Sequence, residues 1–107
     1  MTRVRYGRGN YWMEIDGHAG AGEPGQDIVC AAATMLMRTL EEAVQRHGES
    51  MRPGIWHRAG YARIQCSPAR GARTRCRTIF ETVFAGYELL SERYPEHVRA
   101  DIVEEDE

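Results

Sequence analysis

The chain has 107 residues and a mass of 12.2 kDa, room for one small domain and not for two. Hydrophobic residues make up 42% and charged residues 28%, the balance of a globular protein rather than of a disordered tail. Fourteen cations, all arginine, stand against sixteen anions, and the resulting net charge of -2 speaks against a dedicated nucleic-acid module.

Thr2 to Tyr6 alternates, with Val4 and Tyr6 on one face and Arg3 and Arg5 on the other. Gly7-Arg8-Gly9-Asn10 is turn chemistry. Tyr11, Met13 and Ile15 then alternate with Trp12, Glu14 and Asp16, which predicts a β-hairpin with one wet face. Gly17 to Gln26 carries four glycines and Pro24, so it reads as a loop. Asp27 suits a helix N-cap. Behind it Ile28, Ala32, Met35, Leu36, Thr39, Leu40 and Ala43 recur at helical spacing, with Arg38, Glu41, Glu42 and Gln45 opposite and Gly48 as the stop.

Residues 49–59, broken by Pro53-Gly54, fit no single element. Tyr61 to Cys66 alternates as a strand, and Ser67 to Arg77 reads as an arginine-rich connection. A second amphipathic helix carries Ile79/Phe80, Val83/Phe84, Tyr87, Leu90 and Tyr94 up to Pro95. Val98, Ala100 and Ile102 alternate as a last strand. The order is β-β-α-β-α-β, with too few helices to cover both faces of a parallel sheet. An α+β two-layer sandwich is therefore predicted, its sheet mostly antiparallel and both helices on one face. Residues 1–103 make up this domain, and Glu104-Glu105-Asp106-Glu107 is an acidic, solvated tail.

No apolar run is long enough to span a bilayer, and the N-terminus lacks the apolar stretch of a secretory signal. Three cysteines cannot pair completely, which favours a reduced, cytoplasmic protein. The charge is unevenly spread. Residues 50–80 hold seven arginines and no acid, whereas residues 81–107 hold nine acids against Arg93 and Arg99. The arginine block could meet RNA or an acidic partner. The plainer reading is that it neutralises the acidic C-terminal segment, since no interleaving of aromatic and basic residues accompanies it along the chain.

One segment carries chemistry: Gly17-His18-Ala19-Gly20, then Gly25-Gln26-Asp27-Ile28-Val29-Cys30-Ala31-Ala32. A histidine ends a strand, a glycine loop with Gly20, Gly22 and Gly25 follows, and a cysteine lies in the first turn of a helix. With Asp27 as N-cap, Cys30 is the third helical residue, where free amides and the helix dipole favour a thiolate. Those amides, including that of Cys30, are candidates to hold an oxyanion. His18 can take the thiol proton and return it to a leaving amine. The competing reading is a small core cysteine beside a turn histidine. A zinc site from His18, Cys30, Cys66 and Cys76 is disfavoured, because no C-x-x-C pair is present and the spacings match no common finger. No metal and no cofactor is expected.

These residues resemble the signature of the bacterial ribosomal-processing cysteine proteases, also called the YsxB-like family. The resemblance is strong over residues 15–44, fair over 78–102 and absent from 50–77. It implies a catalytic dyad of His18 as base and Cys30 as nucleophile, with Asp27 and Thr34 in support and the Gly20, Gly22, Gly25 loop admitting substrate. It also implies a two-layer fold, a homodimer, and removal of the N-terminal extension of a large-subunit ribosomal protein. Thr34 stands where the family commonly has a serine, and Pro24 stiffens the loop. Two other functions compete: maturation of a phage capsid or scaffold protein, and a non-catalytic ribosome-associated or RNA-binding factor using the arginines of 52–77. Nucleic acid and membrane are not expected as partners of the protease.

Overall fold

A computed structural model describes residues 1–18, 20, 22 and 27–104 of the chain. The first hairpin forms as the alternation requires, with β1 (Thr2–Gly7) antiparallel to β2 (Trp12–Asp16). Helix α1 (Ile28–Arg46) follows, then a single turn α2 (Gly48–Met51), strands β3 (Pro53–Arg58) and β4 (Tyr61–Cys66), helix α3 (Arg73–Arg93) and strand β5 (Val98–Val103). The sheet runs β3-β4-β2-β1-β5, antiparallel throughout except for the β1/β5 pair, which is parallel. The two-layer α+β architecture is the one the pattern predicted, with α1 and α3 packed on one face of the sheet.

The fifth strand is β3, in the segment that fitted no single element. Pro53 begins it and Gly54 follows, residues that break a central strand but are tolerated at the start of an edge strand. The arginine-rich connection is shorter than expected, because α3 already begins at Arg73. No helix among the described residues is long and apolar enough to cross a membrane.

Inward-facing Val4, Tyr6, Met13 and Ile64 meet Phe80, Phe84 and Tyr87 of α3, all nearly or wholly buried. Each such side chain contributes roughly 1.5–3 kcal/mol on leaving water. The α3 stripe is the predicted one, extended back to Cys76. The α1 stripe is rotated from the predicted one. Val29, Ala33, Met37, Leu40 and Val44 face the core, while Ile28 and Met35 are exposed. The Tyr87 hydroxyl fixes that rotation by donating to the Ala33 carbonyl at 2.6 Å, joining the two helices in the interior.

The other face of the sheet is open. Arg3, Arg5, Glu14, Trp56, Arg58, Tyr61 and Arg63 share it by register. Trp12 lies there too, yet it is buried, because Arg5 and Arg63 cover its ring at 5.6 and 4.4 Å. Aromatic and basic side chains do interleave here, across strands rather than along the chain, which the linear reading missed. No arginine of 52–77 forms an ion pair with a C-terminal acid among the described residues. Among the described residues, Glu81 and Glu104 pair with Arg8 at 2.9 and 3.5 Å, and Asp101 pairs with Arg99 at 3.0 Å. The rest of the acidic tail, residues 105–107, lies outside the described residues.

Candidate active site

Asp27 caps α1. Its backbone is extended (φ -81°, ψ 99°), its side chain accepts the Cys30 N–H at 2.9 Å, and its carbonyl accepts the Ala31 N–H at 3.0 Å. Cys30 is thus the third residue of the helix, half-buried, with its neighbour Val29 packed on Val98. The cap also alters one expectation. The Cys30 amide is committed to the Asp27 carboxylate in this arrangement, so it is not a free donor for an oxyanion.

His18 reaches the same place from the sheet. Past the end of β2, Gly17 takes a left-handed φ of 99° and donates its N–H to the Gly60 carbonyl at 2.8 Å. A side chain on Gly17 would meet the Met1 carbonyl oxygen at 2.3 Å. Gly60, in the β3–β4 turn with φ of 71°, leaves the space that the imidazole fills; a Cβ there would stand 3.1 Å from His18 Nε2. These two glycines set the exposed histidine, and Gly60 was not foreseen. Ala59-Gly60 between two strands signals a turn, but nothing in the sequence says that a histidine 42 positions earlier rests on it.

The two elements converge on a cleft. His18, Cys30 and Thr34 line a cavity of about 240 Å³ whose apolar wall includes Ile15, Met37 and Ala62. A wider groove of about 640 Å³ continues outward past Gly20, Gly22, Asp27 and Met35, sharing His18, Cys30 and Thr34 with the first. Gly25, the third loop glycine expected at the site, lies outside the described residues. The cleft has a polar rim that the sequence did not announce. His57 meets Glu41 Oε2 at 3.2 Å, and Arg38 bonds the other carboxylate oxygen at 3.4 Å. Arg38, His57 and Arg58 all line the inner cavity.

The zinc quartet is not assembled. Cys66 and Cys76 are buried against each other at the end of β4 away from His18, where the hydrogen bond with Cys76 and burial hold the Cys66 thiol well above its ordinary range. Among the described residues no group of three or more His, Cys, Asp or Glu side chains could hold a metal ion.

A cysteine at a helix start and a histidine at a strand end, facing one cleft, suit thiol chemistry on an extended chain. The family model for the cysteine protease Prp matches residues 1–99. The chain belongs to the cysteine protease Prp family. Solved structures agree. The essential ribosomal processing protease Prp from S. aureus, in complex with a covalently linked product peptide, superposes with a TM-score of 0.79 at 25% identity, covering 95% of this chain and 97% of that one. SMU.848 from Streptococcus mutans gives a TM-score of 0.69 at 27% identity over 97% and 93% of the two chains. The S. aureus Prp with a substrate peptide, at 23% identity and a TM-score of 0.72, shares the fold over 95% and 97%. Among curated proteins none matches. The Prp-family match runs through the arginine-rich middle, where the motif resemblance was absent.

Proposed function

We propose that this Prp-family chain is a cytoplasmic cysteine endopeptidase that removes the N-terminal extension of a large-subunit ribosomal protein, with Cys30 as nucleophile and His18 as base. The observation that carries the reading is the convergence of His18 and Cys30 on one cleft, wide enough at its outer groove for an extended chain. Cys30 Sγ attacks the scissile carbonyl carbon as its proton passes to His18. The tetrahedral adduct collapses, the C–N bond breaks, and His18 gives that proton to the leaving amine. Water, deprotonated by the same imidazole, then splits the thioester and frees Cys30. Thr34, one turn along α1, shapes the cleft wall, and Asp27 holds the first turn that presents the thiol.

The S. aureus relative was solved with product and substrate peptides, which supports a protein substrate for this chain as well. A homodimer belongs to the same reading. Ile28 and Met35 on α1 and Leu89 on α3 are large apolar side chains more than half exposed, and a second copy would cover them. Sedimentation of a 12.2 kDa species at all protein concentrations would exclude it.

The activity test is incubation of wild type and Cys30→Ala with the organism's own precursor ribosomal protein, read by intact-mass spectrometry under reducing conditions. Wild type should release the N-terminal segment and Cys30→Ala should bind without cutting. If neither cuts, the substrate assignment fails; if Cys30→Ala still cuts, the nucleophile is wrong. A co-encoded phage structural protein in a parallel tube distinguishes the competing protease reading.

A further inference from the structure

We propose that the open face of the sheet, around Trp56, is a stacking platform for single-stranded RNA. The proposal stands on the β3–β4 hairpin and does not depend on the protease chemistry. Trp56 is 53% exposed although it sits in a strand, and Gly54 explains how. A Cβ at Gly54 would lie 2.7 Å from the far edge of the indole, so the ring reaches over bare backbone there while more than half of the residue stays exposed. Cross-strand from it are Arg63 and, next along, the Arg58/Tyr61 pair, whose guanidinium stands 4.4 Å from the Tyr61 ring centre. Planar rings and guanidinium groups at strand spacing are what bases stack on, whatever their sequence.

The charge around the platform fits a phosphate chain. A hollow of about 470 Å³ is walled by Trp56, Arg58, Tyr61, Arg63 and Gln65, together with His57. Gln65 also lines the next hollow, of about 430 Å³, in which Arg52 and Arg73 face Ser67 and Tyr11. Neither hollow has an acidic residue in its wall. Gln65 borders both hollows, which together bring Arg58 and Arg63 of the hairpin into line with Arg52 and Arg73 beside it. Arg63 is partly committed, to Glu14 at 3.6 Å and to Gln65 at 3.2 Å, and Arg52 gives its Nε to the Ser67 carbonyl at 2.8 Å, so Arg58, Arg73 and the remaining edge of the Arg52 guanidinium meet the phosphates. Gln65 and Ser67 line the same hollow as Arg52 and Arg73 and bring polar groups to a chain whose 2′-hydroxyl groups offer both donors and acceptors. Glu14 and Asp16 share this face by register, but Glu14 is engaged by Arg5 at 2.8 Å, by the Tyr61 hydroxyl at 2.8 Å and by Arg63 at 3.6 Å, so it balances those groups and not Arg52, Arg58 or Arg73.

The test is fluorescence anisotropy of a labelled single-stranded RNA of about ten nucleotides, titrated with the full chain at low salt. Binding should quench tryptophan emission, and its logarithm should fall with the logarithm of salt with a slope of about -2, from three phosphate contacts. Trp56→Ala should weaken binding by about 5- to 100-fold. Trp56→Phe, which keeps a ring, should restore most of it, and both variants should unfold at the wild-type urea midpoint. Arg52→Ala should lower the salt slope by about 0.7. No binding at low salt would overturn the proposal, as would equal affinity for wild type and Trp56→Ala. So would displacement of RNA by polyglutamate of matched charge, which brings charge without bases. Tighter binding of the same DNA sequence would overturn the assignment to RNA. Loss of self-association in Trp56→Ala with RNA affinity intact would make the face a subunit contact instead.

Discussion

Replacing Asp27 separates the two things its side chain does for α1. It supplies a hydrogen-bond acceptor to the Cys30 N–H at 2.9 Å, and it puts a negative charge at the positive end of a 19-residue helix. An N-cap hydrogen bond is worth about 1 kcal/mol, and a carboxylate on the helix dipole adds about 0.5 kcal/mol. Asp27→Asn keeps the acceptor and loses the charge, so it should cost about 0.5 kcal/mol. Asp27→Ala loses both and should cost about 1.5 kcal/mol, a fall in Tm of roughly 6–12 °C for a domain of this size. The first turn cannot fray without a global price, because Val29 is buried against Val98 and leads directly into the core. Urea unfolding followed by circular dichroism gives both numbers, with the slope against urea unchanged if only the native state has lost a bond. An Asp27→Ala protein within about 0.3 kcal/mol of wild type would refute the cap as a source of stability. Equal losses in the two variants would refute the division between bond and charge.

Gly60→Ala forces a Cβ to 3.1 Å from His18 Nε2 and places an ordinary residue at a φ of 71°. Stability should fall by about 1–2 kcal/mol, and kcat/KM for peptide cleavage by about 10- to 100-fold, because the imidazole must move. A destabilised variant that cleaves at the wild-type rate would show that His18 does not depend on that seat. Burial pushes the Glu14 carboxyl upward, but hydrogen bonds from Arg5 and Tyr61 and the charges of Arg5 and Arg63 outweigh it and hold the group below its usual range. A lowered folded value means that this stabilisation is complete above the ordinary carboxylate value and drains away as pH falls through the folded one. It should amount to about 1 kcal/mol, since Arg5 is half exposed. Glu14→Gln should remove it, and urea midpoints for the two proteins should converge as pH is lowered past about 4.

The parts of this fold that were legible in sequence are those with one dry face. The alternation of Val4 and Tyr6, then Met13 and Ile15, gave β1 and β2, and the Phe80, Val83, Phe84, Tyr87 spacing gave α3. The phase of α1 was not legible, because residues 28–37 are apolar nearly all the way round and several stripes satisfy the helical period. Tertiary contacts with Tyr87 and Val98 chose between them. β3 was hidden because Pro53-Gly54 punctuates a chain in most settings, and only its place at the sheet edge makes those residues acceptable. At the site, His18, Asp27 and Cys30 could be picked out because helix capping and strand ends are local. Gly60, and the Glu41–His57 contact on the cleft rim, were not, since each joins elements whose separation in sequence carries no pattern.

The small cluster at the start of α1 has a consequence for the order in which the protein is made. Val29 and Cys30 leave the ribosome well before the residues that pack against them, Leu90, Tyr94 and Val98, which lie about 60 or more positions further along the sequence. The strand that Val98 begins, β5, pairs in parallel with β1, so that edge of the sheet also waits on a segment made after α1. A nascent chain therefore carries the Cys30 thiol through about 60 further residues of synthesis without the surface that seats it. The first turn of α1 is fully seated only once Val98 and its strand have joined β1, so a chain that stops before β5 is not a miniature version of the folded domain.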